Sequence, residues 1–186
     1  MALKSSQLMV VSCGLALQAF ILVMLNAFVA KAAGVDVIWV AFQAWAVYFL
    51  AGCNAKGGLK AWIGYATGIL ASVVILELMR IPGFEHPLCN VGGTGMNLIM
   101  AAAVFLVVIP AIFFSEKLNN MVPALFIGSG AFFALTGLIP AAAEPEMRWA
   151  WYGAITRAEL IYCAFGLSFG WITVFWRGKY EASLSK

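Results

Sequence analysis

The chain alternates between long apolar runs and short polar breaks. Six apolar runs of 18 to 24 residues follow one another, each close to the roughly 20 residues that a helix needs to cross a hydrocarbon core of about 30 Å. We therefore predict an all-α polytopic membrane protein with six transmembrane helices. The predicted spans are residues 7–30, 36–53, 61–79, 96–114, 121–139 and 155–176.

Glycine, proline and polar residues mark the breaks between the spans. Gly34 follows the first span, and the sequence Asn-Ala-Lys-Gly-Gly at 54–58 predicts a tight polar turn after the second. The third span stops at 80–83 because proline lacks an amide donor and glycine frees the backbone. The two longest loops are predicted at about 80–95 and 140–154, where they either carry interfacial aromatic residues or fold back as a cap.

Composition agrees with this pattern. Hydrophobic residues make up 64% of the 186 residues and charged residues only 10%, and the mean hydropathy is +0.97. A soluble protein of this length would need a polar shell that these residues cannot supply. We therefore predict one transmembrane domain over residues 1–186, with the lipid bilayer as its surroundings. The net charge of +3 is scattered, so no nucleic-acid partner is expected.

The distribution of cations predicts the orientation. The N-terminus, the second and fourth loops and the C-terminal tail together carry seven lysines and arginines, and the other loops carry four. Six of the eight acidic residues lie on the side with fewer cations. The positive-inside rule then places both termini in the cytoplasm.

A weak internal repeat relates the two halves of the chain. Residues 42–50 align without gaps on 126–134, with phenylalanine at both outer matched positions and an aromatic residue between them. The span after each segment carries a pair of small residues, Gly64-x-x-x-Gly68 and Gly166-x-x-x-Gly170. Because three spans separate equivalent positions, the halves would form an inverted 3+3 repeat, which is common in transporters and channels. The alternative is that the glycine pairs only allow close helix packing.

Neutral polar and aromatic residues on the second and fifth spans suit the passage of a small neutral solute. The candidate path residues are Phe42, Gln43, Trp45, Tyr48, Phe126, Ser129 and Phe133. For each residue taken singly, the alternative is an ordinary contact or hydrogen bond between helices.

Charged groups near the spans are few. Glu77 and Arg80 are spaced i,i+3 at the outer end of the third span and suit a local ion pair. Arg157 and Glu159 stand at the predicted start of the sixth span. All four are expected near the interface, where charges cost little. With nothing charged at mid-depth, the sequence argues against a proton-coupled pump built on a buried carboxylate.

Enzyme motifs are missing from the sequence. It contains no Walker loop, G-x-S-x-G or paired-histidine motif. His86 lies near Glu85 and Cys89 in one loop, which is a poor zinc ligand set, and the four cysteines contain no C-x-x-C pair. We therefore expect no enzyme activity, cofactor or metal.

Three segments resemble a known family. The segments are Trp39–Gly52, the glycine turn Lys56–Gly58, and Val122–Ala134. They are similar to bacterial inner-membrane proteins grouped as domain-of-unknown-function family 1097, over roughly residues 15–140. The resemblance implies a small polytopic protein of the bacterial inner membrane, a transporter or channel with no established substrate. It carries over no functional residues. The fifth loop and the tail are not expected features of that family.

Two functions are consistent with these features. The first is a channel or facilitator for a small neutral solute that works as a homo-oligomer, because six short helices form a thin bundle. The second is a non-transporting accessory subunit that packs against a larger membrane complex.

Overall fold

The computed structural model describes residues 4–80, 98–117, 121–140 and 145–184. These residues form six α-helices and one short 3-10 helix, which spans Pro145–Met147. The α-helices are α1 (Ser5–Ala33), α2 (Ile38–Leu50), α3 (Ala55–Leu78), α4 (Leu98–Lys117), α5 (Val122–Leu138) and α6 (Arg148–Ser183). The predicted all-helical class is therefore confirmed.

Helix length separates these elements into two groups. Among the described residues, four helices are long and apolar enough to cross a membrane: Ser5–Ala33, Ala55–Leu78, Met100–Lys117 and Arg148–Ser183. The other two are apolar but shorter, with 13 residues in α2 and 17 in α5. At about 1.5 Å per residue, α2 is shorter than a typical hydrocarbon core is thick. The four long apolar helices indicate a membrane protein.

The turn predicted at 54–58 is shorter in the structure. Helix α3 begins at Ala55, so Lys56–Gly58 belong to its first turn. The side chain of Asn54 explains this early start, because its Oδ1 accepts a hydrogen bond of 2.8 Å from the amide of Gly57. An asparagine that accepts a first-turn amide in this way is a strong helix N-cap.

The sixth helix begins earlier than predicted. It starts at Arg148, directly after the 3-10 helix, and not near residue 155. The aromatic residues of the predicted fifth loop, Trp149, Trp151 and Tyr152, are therefore helical. Hydropathy does not identify residues 148–154 as helical, because it detects the apolar part of a helix and not a polar extension of the same helix. Residues 81–97 and 141–144 lie outside the described residues, and so do most of the predicted third loop and the start of the fifth.

Two compact units divide the chain. Unit 1 contains residues 1–62 and 157–186, and unit 2 contains residues 63–156. Unit 1 therefore holds α1, α2, the start of α3 and most of α6. Unit 2 holds the rest of α3, together with α4, α5 and the first residues of α6.

Within unit 1, α2 and α6 run parallel in close contact. A Cβ atom at Gly166 would collide with the backbone carbonyl of Ala41, and one at Gly170 would collide with the side chain of Tyr48. The second predicted glycine pair therefore lies where two helices touch. Only a residue without a side chain lets the backbones approach this closely.

Within unit 2, α3 and α5 make a similar parallel contact. A Cβ atom at Gly68 would collide with the carbonyl of Leu125, and one at Gly64 would lie 2.8 Å from the Cβ of Ala124. Next to this contact, the hydroxyl groups of Ser72 and Ser129 are 2.7 Å apart. Residues of α3 and α4 also form a small apolar cluster in this unit: Ala71, Ile75, Ala103 and Val107.

Candidate functional site

A cavity of about 430 Å³ lies in unit 1 between α1, the C-terminal end of α2 and α6. Its volume falls in the range of about 300–1,000 Å³ that is usual for small-molecule sites. Most of its wall is apolar. The lining residues are Leu15, Phe49, Cys53, Thr173, Val174, Arg177, Gly178 and Glu181.

A buried chain of hydrogen bonds reaches the cavity at Thr173. The indole Nε1 of Trp45 donates to Thr173 Oγ1 over 3.0 Å, and Thr173 Oγ1 donates to Gln18 Oε1 over 2.6 Å. The hydroxyl carries one proton, and the carbonyl of Phe169, at 2.8 Å, is the more distant acceptor. All three side chains of the chain are buried. It therefore joins α1, α2 and α6 through neutral groups.

Charged side chains of the cavity lie one turn further along α6. Arg177 Nε donates to Glu181 Oε1 over 2.7 Å, in an i,i+4 pair whose side chains are about half exposed. Cys53 lies on the facing side, in a left-handed backbone conformation with φ of 57°. Because Arg177 and Glu181 neutralise each other, the cavity presents no uncompensated charge from this pair.

A second polar layer joins the same helices near the other end of unit 1. The hydroxyl of Tyr162 on α6 donates to Asn26 Oδ1 on α1 over 2.9 Å. Asn26 Nδ2 in turn donates to Asp36 Oδ1, in the turn between α1 and α2, over 2.8 Å. Tyr162 is fully buried, whereas Asp36 is exposed.

The surroundings of Glu159 differ from those predicted. Its side chain is fully buried, and neither carboxyl oxygen has a hydrogen-bond partner among the described residues. The expectation that Glu159 stands at a helix start is wrong, because α6 begins eleven residues earlier, at Arg148. The helical spacing to Ile155, Tyr162 and Cys163, all buried, is the sequence signal for this inward face.

The predicted path residues of α2 divide between two faces of that helix. Trp45 and Tyr48 are buried within unit 1. Phe42 and Gln43 are exposed, although the ring of Phe42 stacks on Trp45 with centroids 6.2 Å apart. Of this set, Trp45 belongs to the hydrogen-bond chain at the cavity. Thr173 was not singled out in the sequence, since one threonine in an apolar helix gives no signal until its partner helices are known.

The predicted path residues of α5 lie in unit 2. Phe126 is exposed, and Ser129 and Phe133 are partly buried. The Ser129 hydroxyl is paired with Ser72, and Phe133 packs against the apolar cluster of α3 and α4.

Glu77 and Arg80 belong to a larger cluster in unit 2. Arg80 Nε is 3.5 Å from Glu77 Oε1, and Arg148 Nε is closer, at 3.1 Å. The hydroxyl of Tyr152 donates to the same oxygen over 2.8 Å. Helix α6 therefore brings two partners to Glu77 that the i,i+3 spacing did not predict.

No cluster of three or more metal-ligating side chains occurs in the part of the chain that the structure describes. His86, Glu85 and Cys89 lie outside that part.

Comparison with known proteins identifies one family. No curated protein and no solved structure gives a match. The family described as "Protein of unknown function (DUF1097)" matches residues 16–176. The match continues past residue 140, where the resemblance was expected to end, and covers the fifth loop and most of α6. It therefore includes both α2 and α6, which form the cavity together with α1. The chain belongs to the DUF1097 family.

Proposed function

We propose that this protein is a membrane facilitator for a small neutral solute, with its solute site in the cavity of unit 1. The observation that carries the proposal is the buried chain Trp45–Thr173–Gln18 at an apolar cavity. Of these three side chains, Thr173 lines the cavity, and its hydroxyl keeps one lone pair free to accept a hydrogen bond from a neutral solute. The apolar walls exclude ions. The paired Arg177 and Glu181 leave no net charge there to attract an ion.

The exposed face of α2 supports a homo-oligomer. Gln43 is exposed on a helix that is otherwise apolar. An amide that faces lipid lacks hydrogen-bond partners, which is costly. A second copy of the chain that covers this face would satisfy Gln43 and would bring Phe42 and Gln43 to the path predicted from the sequence.

An internal repeat with six spans also forms part of the proposal. Ala41 and Leu125 directly precede the aligned segments 42–50 and 126–134. The carbonyl of Ala41 lies against Gly166 on α6, and the carbonyl of Leu125 lies against Gly68 on α3. Equivalent positions therefore make equivalent contacts, each within its own unit. In this alignment Gly166 corresponds to Gly68, one turn away from the Gly64 that the sequence alignment suggested.

In the proposed topology, the third helix of each half of the chain packs with the first two helices of the other half. Unit 1 combines α1 and α2 with α6, and unit 2 combines α4 and α5 with α3. Three spans per half invert the second half relative to the first, as in many transporters. By the positive-inside rule, the cavity, which lies toward the C-terminal end of α6, opens to the cytoplasmic side of a bacterial inner membrane.

Stopped-flow measurements on proteoliposomes test the transport proposal. Water, ammonia, urea, formamide and glycerol are compared between vesicles with the protein and vesicles without it. Flux of one solute is expected, and Thr173→Val should reduce it about tenfold, because a lost hydrogen bond of about 1.4 kcal/mol corresponds to that factor.

Ser168→Ala is the matched control. Ser168 lies on the same helix, but it is exposed and bonded only to its own backbone, at Ala164. Its flux should equal that of the wild type. Wild-type vesicles that match protein-free vesicles for every solute would contradict the proposal. If the folded protein then co-purifies with a larger membrane complex, it is an accessory subunit.

A further inference from the structure

We propose that Glu159 is a proton-binding group and that it couples solute movement through unit 1 to proton movement. This inference rests on the proposed transport function for its second part, the coupling. The first part, a protonated carboxyl group inside unit 1, stands on the surroundings of Glu159 alone.

Burial without a partner is the first argument. The side chain of Glu159 has no exposed surface, and both carboxyl oxygens lack a hydrogen-bond partner among the described residues. An ionised carboxylate in such a place would lose its hydration with no compensation, at a cost of several kcal/mol. A bound proton removes that cost.

The neighbouring ionisable groups do not supply a counter-charge. On α6 itself, Cys163 is buried one turn away, and the Tyr162 hydroxyl is engaged with Asn26. Arg157 extends toward Gly34, where its Nη2 would lie 3.0 Å from an added Cβ. From the turn that leads into α2, the charged group is Asp36, an exposed carboxylate of the same sign.

The other elements of unit 1 likewise give the Glu159 carboxyl oxygens no hydrogen-bond donor among the described residues. Lys31, in the last turn of α1, is exposed, and Tyr48 on α2 carries no charge near neutral pH. A metal ion would need further ligands, and the described residues contain no group of three or more histidine, cysteine and acidic side chains. A proton is the cation that a single carboxyl group binds without other ligands.

Helix α6 connects Glu159 to the solute site. Glu159 and Thr173 are fourteen residues apart on one continuous helix, a rise of about 21 Å at 1.5 Å per residue. Between them, Gly166 and Gly170 hold α6 against α2. A proton on Glu159 and a solute at Thr173 therefore act on the position of the same helix. Ligands that bias one two-state element are thermodynamically coupled.

The coupled step is a proton transfer. Hydronium on one side of the membrane gives a proton to the Glu159 carboxylate, which leaves water and a neutral carboxyl group. The carboxyl group later gives that proton to water on the other side, which forms hydronium and restores the carboxylate. No redox partner is needed.

Infrared spectroscopy of the protein in lipid tests the protonated state directly. The wild type should show the carbonyl stretch of a protonated carboxyl group near neutral pH, and Glu159→Gln should lose it. The control is Glu116→Gln, which removes an exposed carboxylate at the end of α4 and should leave the band unchanged. If the wild-type and Glu159→Gln spectra match in this region, the carboxyl group is ionised and the proposal is overturned.

Proton movement tests the coupling. An outward solute gradient should change the pH inside vesicles that contain a pH-sensitive dye. Glu159→Gln should reduce this pH change at least tenfold. Solute flux without proton movement would overturn the coupling and leave the facilitator in place. If no solute moves at all while the infrared band is present, the transport function has failed and the proton site stands.

Discussion

Trp45 and Thr173 are 128 positions apart in the chain, and the indole Nε1 of one donates to the hydroxyl of the other over 3.0 Å. This bond joins α2 to α6 in the interior of unit 1. Trp45→Phe removes the donor and part of a buried ring. We expect the free energy of unfolding to fall by about 1–3 kcal/mol, measured by denaturation in detergent micelles.

Trp171→Phe is the control for this substitution. Trp171 is on the same helix as Thr173, but its side chain is about half exposed, so its loss should change stability by less than about 0.5 kcal/mol. Equal effects of the two substitutions would show that the buried bond contributes nothing specific.

Gly166→Ala should separate α2 from α6. The added methyl group would collide with the backbone carbonyl of Ala41, and a backbone atom cannot rotate away. We expect a loss of about 1–3 kcal/mol and a lower melting temperature. At Gly153, also on α6, nothing lies within 4 Å of an added Cβ. Gly153→Ala should stabilise the helix by up to about 1 kcal/mol, so a neutral Gly166→Ala would count against the packing described for unit 1.

The proposed repeat predicts that Gly68→Ala resembles Gly166→Ala. The carbonyl of Leu125 occupies the space at Gly68 as that of Ala41 does at Gly166. The two variants should lower the melting temperature by similar amounts, with Gly130→Ala on α5 as the unhindered reference. One strongly destabilised variant and one neutral variant would argue against equivalent positions.

Arg148 should contribute more to the Glu77 cluster than Arg80 does. Arg148 Nε is closer to the carboxylate, and its side chain is 28% exposed compared with 49% for Arg80. Exposed ion pairs contribute about 0–1 kcal/mol, so Arg80→Gln should be nearly neutral. Arg148→Gln should cost more, and the difference should shrink in high salt. Chemical denaturation at low and high ionic strength measures both, and a larger loss for Arg80→Gln would contradict the cluster geometry.

Removal of the Tyr162 hydroxyl should loosen the second polar layer of unit 1. Tyr162→Phe leaves Asn26 Oδ1 without the bond of 2.9 Å that it accepts in the wild type. Because Asn26 is only partly buried, the loss of this hydrogen bond should cost about 0.5–1.5 kcal/mol. Hydrogen exchange should increase at the C-terminal end of α1 and in the turn at Asp36. Unchanged exchange there would mean that the layer is not coupled to α6.

The sequence predicts the helical class and the places of close packing because both depend on local composition. Long apolar runs identify helices, and glycines spaced four apart identify helix contacts, whichever partner helix is present. The start of α6 was missed because Arg148–Tyr152 mixes charged and aromatic residues, which hydropathy does not distinguish from a loop.

The site depends on which helices meet, and that information is not local. Gln18, Trp45 and Thr173 lie on three helices, and nothing in their neighbouring residues indicates that they join. The burial of Glu159 was missed for a related reason. Its burial follows from the start of α6 at Arg148 and from the helices that cover its face, and neither can be read from the charge alone.

Two helices cross the boundary between the units, and this has a consequence for biosynthesis. Unit 1 needs residues 157–186, which are synthesised after α1 to α5. Until then, Gln18 and Trp45 are present without Thr173, their hydrogen-bond partner in the folded protein. A chain truncated before α6 therefore lacks the partner of these two polar side chains, and such chains should be substrates for membrane quality-control proteases.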